Sequence, residues 1–462
     1  MTENSLFYHK NPVFSKLTEQ DKTQIQRYGE GYKTFLNACK TERDAVRYLA
    51  ELAEAKGFYP YSRGDKLSPG DKVYQINRGK GLILAVIGKQ PPSSGFHITA
   101  AHIDAPRIDI RTVPLYEDDG MAFFKTHYYG GIKKYQWPAI PLELRGVVSR
   151  YDAAGIHNID VSIGGKPEDP VFVITDLLPH LAQDQMKLPM TQGIKGETMN
   201  ILVGSVPSET EGKGDRVKRS VLEFLHHTFG ITEEDFLSAE LSAVPAFPAR
   251  DVGFDRSFIG AYGHDDRVCA YPAATALFDL AEIPEKTCLC LLVDKEETGS
   301  DGVTGIQSRH FDTFVADVCR GFGVLPEECL EHSLCFSADV ANAYDPNYPE
   351  VSEKRNDAKA NCGLVLTKYT GARGKSGTSD ASAEVMAKAR YILRDVCWQT
   401  GQLGKVDQGG GGTVAMYMAN RNIDTVDAGV PVLSMHAPFE VIAKADLYMA
   451  YRGFAALYQF DK

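Results

Sequence analysis

The sequence of 462 residues lacks the features that mark membrane, secreted and nucleic-acid-binding proteins. No window reaches the run of about 20 apolar residues that a bilayer-spanning helix needs. The start, Met-Thr-Glu-Asn-Ser, carries an acid and no apolar run follows it, so no secretory signal is predicted. Basic residues are spread thinly and the formal net charge is −11, which disfavours contact with nucleic-acid phosphates. We therefore expect no membrane or nucleic-acid partner and a cytoplasmic location.

Paired cysteines are also missing. Nine cysteines are scattered along the chain without any Cys-x-x-Cys motif, a pattern typical of reduced thiols that fill a core. What the chain does have is an ordinary globular composition, with 43% apolar and 24% charged residues. Its length is sufficient for two domains.

Residues 288–300, Cys-Leu-Cys-Leu-Leu-Val-Asp-Lys-Glu-Glu-Thr-Gly-Ser, form the most informative stretch. The first six residues predict a buried strand. Glu296 and Glu297 follow at its C-terminal end, where open α/β sheets place their ligands. Because neighbouring side chains on extended backbone point to opposite sides, one carboxylate can bind a cation while the other faces a water. An isolated Glu-Glu pair is more often a solvated acidic turn, so the rest of the chain has to decide.

Predicted helices and apolar strands lie on both sides of a β-rich block. Helices are predicted within 13–57 and at 217–229, 268–281, 381–400 and 439–458, and strands at 81–88, 96–101, 288–293, 333–339 and 432–438. Between Arg107 and about Arg256, short β-rich pieces alternate with turns. We therefore predict a catalytic domain of residues 1–106 and 262–462, interrupted by an inserted β-rich domain of residues 107–261.

Two short polar motifs flank the predicted elements, one after a strand and one before a helix. His102 ends one apolar strand and begins a His-x-Asp motif, in which Asp104 lies on the same side of extended backbone and can orient the imidazole. Taken alone, such a motif is more often a satisfied polar strand end. Asp265 and Asp266 precede a helix, where they can either cap it or provide a bridging metal ligand. The neighbouring His264 is not assigned to a metal.

The decisive observation is collective. A lone acid at the end of a buried strand, such as Asp339, is costly unless it is paired or bound to a metal, and a further strand ends in His436. Two histidines and three carboxylates, one of which bridges, satisfy two zinc ions with the mixed nitrogen and oxygen ligands that zinc accepts. The candidate ligands are His102, Asp265, Glu297, Asp339 and His436.

Two glycine-containing motifs are discounted as nucleotide sites. Gly374-Lys375-Ser376 has the tail of a phosphate-binding loop, but Tyr369 stands where the first glycine is required and no strand precedes it. The run of four glycines at 409–412 lacks dinucleotide spacing and is better explained by close approach of the backbone to a substrate.

Taken together, the motifs resemble the aspartyl aminopeptidase and vacuolar aminopeptidase I family of dizinc exopeptidases. The resemblance runs in order through essentially the whole chain. It rests on His102-x-Asp104-x-Pro106, Asp265-Asp266, Asp294-x-Glu296-Glu297-x-Gly299-Ser300, Ser337-Ala338-Asp339 and Ser434-Met435-His436. It implies that His102 and Asp339 hold one zinc, that Glu297 and His436 hold the other, and that Asp265 bridges them.

The resemblance also implies catalytic roles. Glu296 would be the general base, passing a proton from water to the leaving amine, and Asp104 would orient the first imidazole. In relatives, a histidine of the inserted domain reaches the site of a neighbouring subunit, and His180 is the candidate here. A cis peptide bond is expected between Asp265 and Asp266.

At the level of the molecule, the resemblance implies an α/β catalytic domain with a central, mostly parallel mixed sheet flanked by helices. The inserted β-rich domain would serve oligomerisation or act as a lid. Peptide substrates, two Zn²⁺ per subunit and a tetrahedral homo-dodecamer are expected, with Co²⁺ or Mn²⁺ as alternative metals.

Two other functions remain as alternatives. A related dinuclear deacylase of N-acyl amino acids would keep most ligands but require an arginine for the substrate carboxylate. A non-catalytic assembly or cargo protein is disfavoured by the intact Glu296 and the full ligand set. Lys375 or Arg373 could receive an acidic substrate side chain, but neither aligns cleanly with the basic position of the family, so no aspartyl specificity is predicted.

Overall fold

The chain forms two compact units, seen here in a computed structural model that describes residues 6–15, 17–210 and 214–461. The first unit contains the described residues of Met1–Asp104, Ala249–Met435 and Phe439–Lys462. The second contains Ala105–Pro248 and His436–Pro438, again within the described part. The chain therefore enters the second unit twice.

The strands are named in chain order. Ahead of the second unit they are β1 Tyr59–Pro60, β2 Lys72–Asn77, β3 Gly81–Val86 and β4 His97–His102. Within it they are β5 Arg107–Asp118, β6 Met121–Tyr129, β7 Leu142–Asp152, β8 Gly155–Ile163, β9 Val173–Ile174, β10 Ile201–Gly204 and β11 Ala239–Pro245. After it they are β12 Arg250–Val252, β13 Phe258–Ala261, β14 Cys288–Val293, β15 Leu334–Ser337, β16 Ala341–Asn342, β17 Leu364–Thr367, β18 Trp398–Thr400, β19 Asp424–Gly429, β20 Pro431–Leu433 and β21 Glu440–Ala443.

The α-helices are α1 Glu19–Ala38, α2 Glu42–Ala55, α3 Met190–Gly193, α4 Arg216–Phe229, α5 His264–Phe278, α6 His310–Gly321, α7 Pro326–Glu331, α8 Ala383–Ile392, α9 Val414–Ala419 and α10 Lys444–Tyr458. The first two begin at matching capping boxes. Thr18 caps α1 with Asp21, and Thr41 caps α2 with Asp44, so the chain breaks and restarts its helix between residues 39 and 41.

A nine-stranded mixed sheet is the centre of the first unit. Its order is β1-β2-β3-β14-β4-β15-β19-β17-β18. The three central pairings, β14 with β4, β4 with β15 and β15 with β19, are all parallel. This arrangement confirms the predicted α/β class with a central, mostly parallel mixed sheet.

Both faces of this sheet are buried, as the apolar run of β14 predicts. Cys288, Cys290 and Leu292 pack into one core with residues of α1, α2, α5 and α10. The alternating residues Leu289 and Leu291 pack into a second core with residues of α6, α7 and α9. The helices therefore flank the sheet on both sides, which is the usual arrangement for parallel strands.

A smaller five-stranded sheet also belongs to the first unit, in the order β12-β13-β21-β20-β16. It explains a difference from the predicted boundary at residue 261. Residues 249–261 lie in the first unit because β12 pairs with β13, and β13 pairs with β21 from the end of the chain.

The second unit is built on an antiparallel seven-stranded sheet in the order β8-β7-β11-β5-β6-β10-β9. Its longest pairing, β7 with β8, runs from Leu144 opposite Ile163 to Asp152 opposite Gly155. The β-rich character predicted for this part of the chain is therefore observed. The shortest strand of this sheet is β9, Val173–Ile174.

Two helix predictions were too long. The helix predicted at 381–400 ends at Ile392, and Trp398–Thr400 forms the strand β18 beside β17. The final helix begins at Lys444 rather than 439, because Glu440–Ala443 pairs with β13 as the strand β21.

The nine cysteines all lie in the described part of the chain, and none forms a disulfide. Eight are buried, and Cys397 is partly exposed. No described helix is both long and apolar enough to cross a bilayer.

Candidate metal centre

The order of the central sheet brings three of the candidate ligands, His102, Glu297 and Asp339, to the C-terminal ends of neighbouring strands. β4, which ends in His102, lies between β14 and β15 and runs parallel to both. Val293 at the end of β14 pairs with His102, so Glu296 and Glu297 follow on one side. Asp339 follows β15 on the other side. Because the C-terminal ends of parallel strands meet at one edge, residues distant in sequence converge there.

Two overlapping groups of side chains in the described part have the geometry to hold metal ions. One consists of His102, Asp265 and Glu297, and the other of His102, Asp266 and Asp339. Within each group the candidate ligand atoms all lie within 4.8 Å of one another. Three of the other four predicted ligands, Asp265, Glu297 and Asp339, therefore cluster around the imidazole of His102. Asp266 is an additional member that the sequence left undecided.

Asp104 connects the first histidine to the two glutamates. Its Oδ1 lies 3.2 Å from His102 Nδ1 and accepts the amide of Glu296 at 3.2 Å, while its Oδ2 accepts the amide of Glu297 at 3.2 Å. Asp104 is fully buried. It therefore contacts both the imidazole and the backbone that presents the two glutamates.

The tautomer of His102 follows from its neighbours. Nδ1 lies 3.1 Å from the carbonyl oxygen of Asp104, an atom that only accepts, so Nδ1 carries a proton. Nε2 then faces the carboxylates, 3.1 Å from Asp265 Oδ1 and 3.9 Å from Glu296 Oε2. The nitrogen directed at the carboxylates is thus the one that a metal would take.

The electrostatics of the cluster favour a bound cation. Burial lowers the pKa of His102, but its contacts with Asp104 and Asp265 outweigh burial and raise the pKa well above its usual value. Burial raises the pKa of Asp339 well above its usual range, and the charges of Asp266 and Glu296 raise it further. A site that draws protons onto both imidazole and carboxylate is one whose negative charge a divalent metal would compensate. The donor set therefore fits zinc.

The backbone of Asp265 is held from the C-terminal part of the chain. The peptide bond between Asp265 and Asp266 is cis, which confirms the expectation from the resemblance. Glu440 Oε2 accepts the amide of Asp265 at 3.1 Å, and Asp266 Oδ2 accepts the amide of His102 at 3.2 Å. Glu440 was missed in the sequence, because only the pairing of β21 with β13 reveals its position.

His436 belongs to the second unit. Its Nδ1 lies 2.9 Å from the carbonyl oxygen of Gly131, so Nδ1 donates and the lone pair is on Nε2. His436 is not a member of the two groups above. This tautomer is the one that a metal ligand with a supporting carbonyl adopts.

Other basic and imidazole candidates have separate environments. His264 is buried between Ile259 O, 3.1 Å from its Nε2, and Tyr32 Oη, 2.9 Å from its Nδ1, which accounts for both of its nitrogens. His180 is exposed, in the second unit. Lys375 pairs with Asp380 at 2.9 Å, so its charge is already engaged within its own loop.

Imidazole and carboxylate side chains that cluster at the C-terminal ends of parallel strands in an α/β sheet are typical of metal-dependent enzymes. Residues 35–458 match the model of the family described as aminopeptidase I zinc metalloprotease (M18). The chain belongs to this family and is a zinc-dependent metallo-aminopeptidase. The predicted family resemblance and enzyme class are therefore confirmed.

The similarity to individual relatives covers nearly the whole chain. The "Probable M18 family aminopeptidase 1" of Clostridium acetobutylicum is 45% identical over 98% of this chain and 99% of its own length. The crystal structure of an M18 family aminopeptidase from Thermotoga maritima has a TM-score of 0.92 and 41% identity, covering 98% of this chain and 100% of that one. A structure of the S. cerevisiae mApe1 dodecamer, at 21% identity and a TM-score of 0.76, covers 93% and 96% and shares the fold.

Proposed function

We propose that the chain holds two zinc ions per subunit and uses Glu296 as the general base in removing the N-terminal residue of a peptide. The observation that carries this proposal is the sharing of His102 by two groups of potential ligands, with Glu296 Oε2 3.9 Å from His102 Nε2. Because only Nε2 of His102 is left for a metal, this imidazole can bind one ion, and a second ion beside it needs a different shared ligand. The family resemblance assigns that bridge to Asp265.

The ligand assignment keeps the five predicted residues. His102 and Asp339 would hold one zinc, Glu297 and His436 the other, and Asp265 both. The tautomer of His436 supports its place, because the carbonyl of Gly131 fixes Nδ1 as the donor. We assign Asp266 a supporting role, since its Oδ2 already accepts the amide of His102.

The chemistry assigned to this chain begins with Glu296. When bound, zinc polarises the scissile carbonyl and lowers the pKa of its water to about 7. Glu296 would take the proton of that water and give it to the leaving amine. Asp104 holds the Glu296 amide at 3.2 Å, so the base starts from a defined backbone position. Peptides with a free α-amino group are the substrates that this arrangement fits.

We also propose a tetrahedral homo-dodecamer in which the second unit makes intersubunit contacts. Leu181, Met186 and Met190 of this unit are between 65% and 69% exposed. Several large apolar side chains exposed within one short segment are typical of a protein–protein contact site. His180 lies in the same segment, so it can meet a neighbouring subunit. The cytoplasmic location stays a prediction supported by the nine reduced thiols.

Glu296→Gln tests the catalytic assignment. We expect turnover of aminoacyl substrates to fall by at least about 100-fold, the lower range for a positioned general base, with zinc content unchanged. His436→Ala should instead lower zinc content, because it removes a ligand. Metal analysis and activity on a panel of N-terminal residues measure both effects.

The matched control is Glu54→Gln, which removes a carboxylate that bonds Tyr74 Oη at 2.5 Å, outside the metal groups. It should retain both zinc and turnover. Wild-type activity in the Glu296→Gln variant would refute the assignment. Turnover of N-acyl but not aminoacyl substrates would favour the deacylase alternative.

A further inference from the structure

Glu296 and Glu297 lie in a loop that is closed at its base. Thr304 Oγ1 donates to Asp294 Oδ2 at 2.7 Å, and the Asp294 amide donates to the Thr304 carbonyl at 3.2 Å. We call residues 294–304 the Glu-Glu loop. Since its two ends are hydrogen-bonded to each other, the position of the Glu-Glu loop depends on the groups that hold these two ends.

The turn between β2 and β3 holds both ends of the Glu-Glu loop. Lys80 Nζ lies 3.5 Å from Asp294 Oδ2, and Asn77 Nδ2 donates to the carbonyl of Val303 at 2.8 Å. Lys80 is 7% exposed and Asn77 is 4% exposed. Water therefore competes little with either contact, and the ion pair is weakly screened.

Lys80 supplies a positive charge next to the buried carboxylate of Asp294, at the start of the Glu-Glu loop. Asp294 is fully buried, and its Oδ1 has no hydrogen-bond partner in the described part of the chain. A buried carboxylate is costly unless a cation is close. Lys80 Nζ also lies 3.3 Å from Glu42 Oε1 at the start of α2, so one ammonium serves two buried carboxylates.

Asp104 holds the other side of the Glu-Glu loop. It is buried and accepts the amides of Glu296 and Glu297. Asp104 and Asp294 are like charges on either side of the segment that presents these two side chains. Without Lys80, the repulsion between them would be relieved by movement of the Glu-Glu loop.

We propose that Lys80 is a positioning residue for Glu296 and Glu297, acting through its buried ion pair with Asp294. The ammonium group of Lys80 fixes the two ends of the Glu-Glu loop and so sets the distance of both glutamates from His102. This inference rests on the proposed function, in which Glu296 is the base and Glu297 a ligand. Lys80 would act through Asp294 and not by touching substrate or metal.

The test compares Lys80→Met with Glu42→Gln in the full-length zinc-loaded protein. Lys80→Met should lower kcat by about 10–100-fold, the usual cost of losing a supporting contact, while KM changes by less than about threefold. Zinc should be released at a lower EDTA concentration, because Glu297 moves with the loop. Glu42→Gln, which leaves the pair of Lys80 with Asp294, should keep kcat and zinc release within about twofold of wild type.

The double variant Lys80→Met with Asp294→Asn separates charge pairing from a general loss of stability. It removes the buried carboxylate together with its cation, so kcat should recover at least about fivefold over Lys80→Met. If Lys80→Met does not fold, a folded double variant with kcat within about tenfold of wild type supports the proposal. Wild-type kcat and zinc release in Lys80→Met, or a double variant that is unfolded or no better than Lys80→Met, would overturn it.

Failure of the two proposals is distinguishable. An active Glu296→Gln variant would remove the assigned base, yet the EDTA concentration that releases zinc from Lys80→Met would still report on the loop. Conversely, an inactive Glu296→Gln with full zinc content, beside an unaffected Lys80→Met, would keep the base and reject the positioning role.

Discussion

His97 and His102 open and close the same strand, but their surroundings are opposite. His102 is surrounded by carboxylates. His97 is 2% exposed, its ring is tilted against that of Phe460 with centroids 5.8 Å apart, and its Nδ1 has no hydrogen bond in the described part of the chain. Burial, together with the charges of Lys286 and Lys388, lowers the pKa of His97 to about 3. One imidazole is therefore kept neutral by the core and the other is prepared for a cation.

His97→Phe should reduce the acid sensitivity of the fold. The unfolded chain binds a proton at His97 below its usual pKa of 6.5, but the folded chain does not until about pH 3, so stability is lost as pH falls through this interval. At about pH 5 the loss amounts to ~2 kcal/mol. Unfolding by denaturant at about pH 7.5 and about pH 5 should show a smaller difference for the variant.

His332→Phe is the control, because the side chain of His332 is 54% exposed. Its pH dependence should equal that of the wild type. An unchanged pH dependence in His97→Phe would show that another group causes the acid sensitivity.

Four of the five candidate ligands stand in short motifs at the end of an apolar run, so the sequence singles them out as candidates. His102, Glu297 and Asp339 were found in this way, and the structure brings them to one edge of the sheet. The supporting contacts could not be predicted. The hydrogen bonds from the glutamate amides to Asp104, and from the Asp265 amide to Glu440, join residues that approach each other only through tertiary packing.

At the scale of elements, β19 passes so close to the segment after β15 that its last residue has to be glycine. A Cβ on Gly429 would lie 1.6 Å from the carbonyl oxygen of Asp339, a backbone atom that cannot move away alone. The strand pairing thus controls the position of a proposed zinc ligand. No sequence pattern in a strand announces such a contact.

Gly429→Ala should displace the backbone of Asp339. We expect a loss of about 1–3 kcal/mol in the free energy of unfolding, typical of overpacking, together with reduced zinc content. Gly321→Ala near the end of α6 is the matched control, because a Cβ there meets no atom within 4 Å. Metal analysis and denaturant unfolding measure both variants. Full zinc content in Gly429→Ala would contradict the role given to this close approach.

Helix and strand types were predictable where periodicity was long and failed where a short pairing intervened. The capped helices α1 and α2 lie within the helical region predicted at 13–57, and β14 coincides with its apolar run. The sequence pattern predicts helix over Trp398–Thr400 and Glu440–Ala443, where the structure has strands. Three or four residues carry too little pattern to show that a distant strand pairs with them.

At the scale of the whole molecule, assembly is the main prediction. A dodecamer of 50.8 kDa chains should have a mass of about 610 kDa in sedimentation or light scattering. Leu181→Glu and Met186→Glu place charges in the exposed apolar segment and should lower this mass. Val406→Glu is the matched control, since Val406 is 73% exposed in the first unit. A wild-type mass near 50.8 kDa would exclude the dodecamer.

The distribution of thiols gives this protein an internal reporter of opening. Eight of its nine cysteines are sealed in the interior and only Cys397 has partial access to solvent, next to Trp398. A maleimide reagent should consequently modify one position in the native state and all nine after denaturation. Counting modified thiols over time would therefore follow partial opening of the fold without any engineered label.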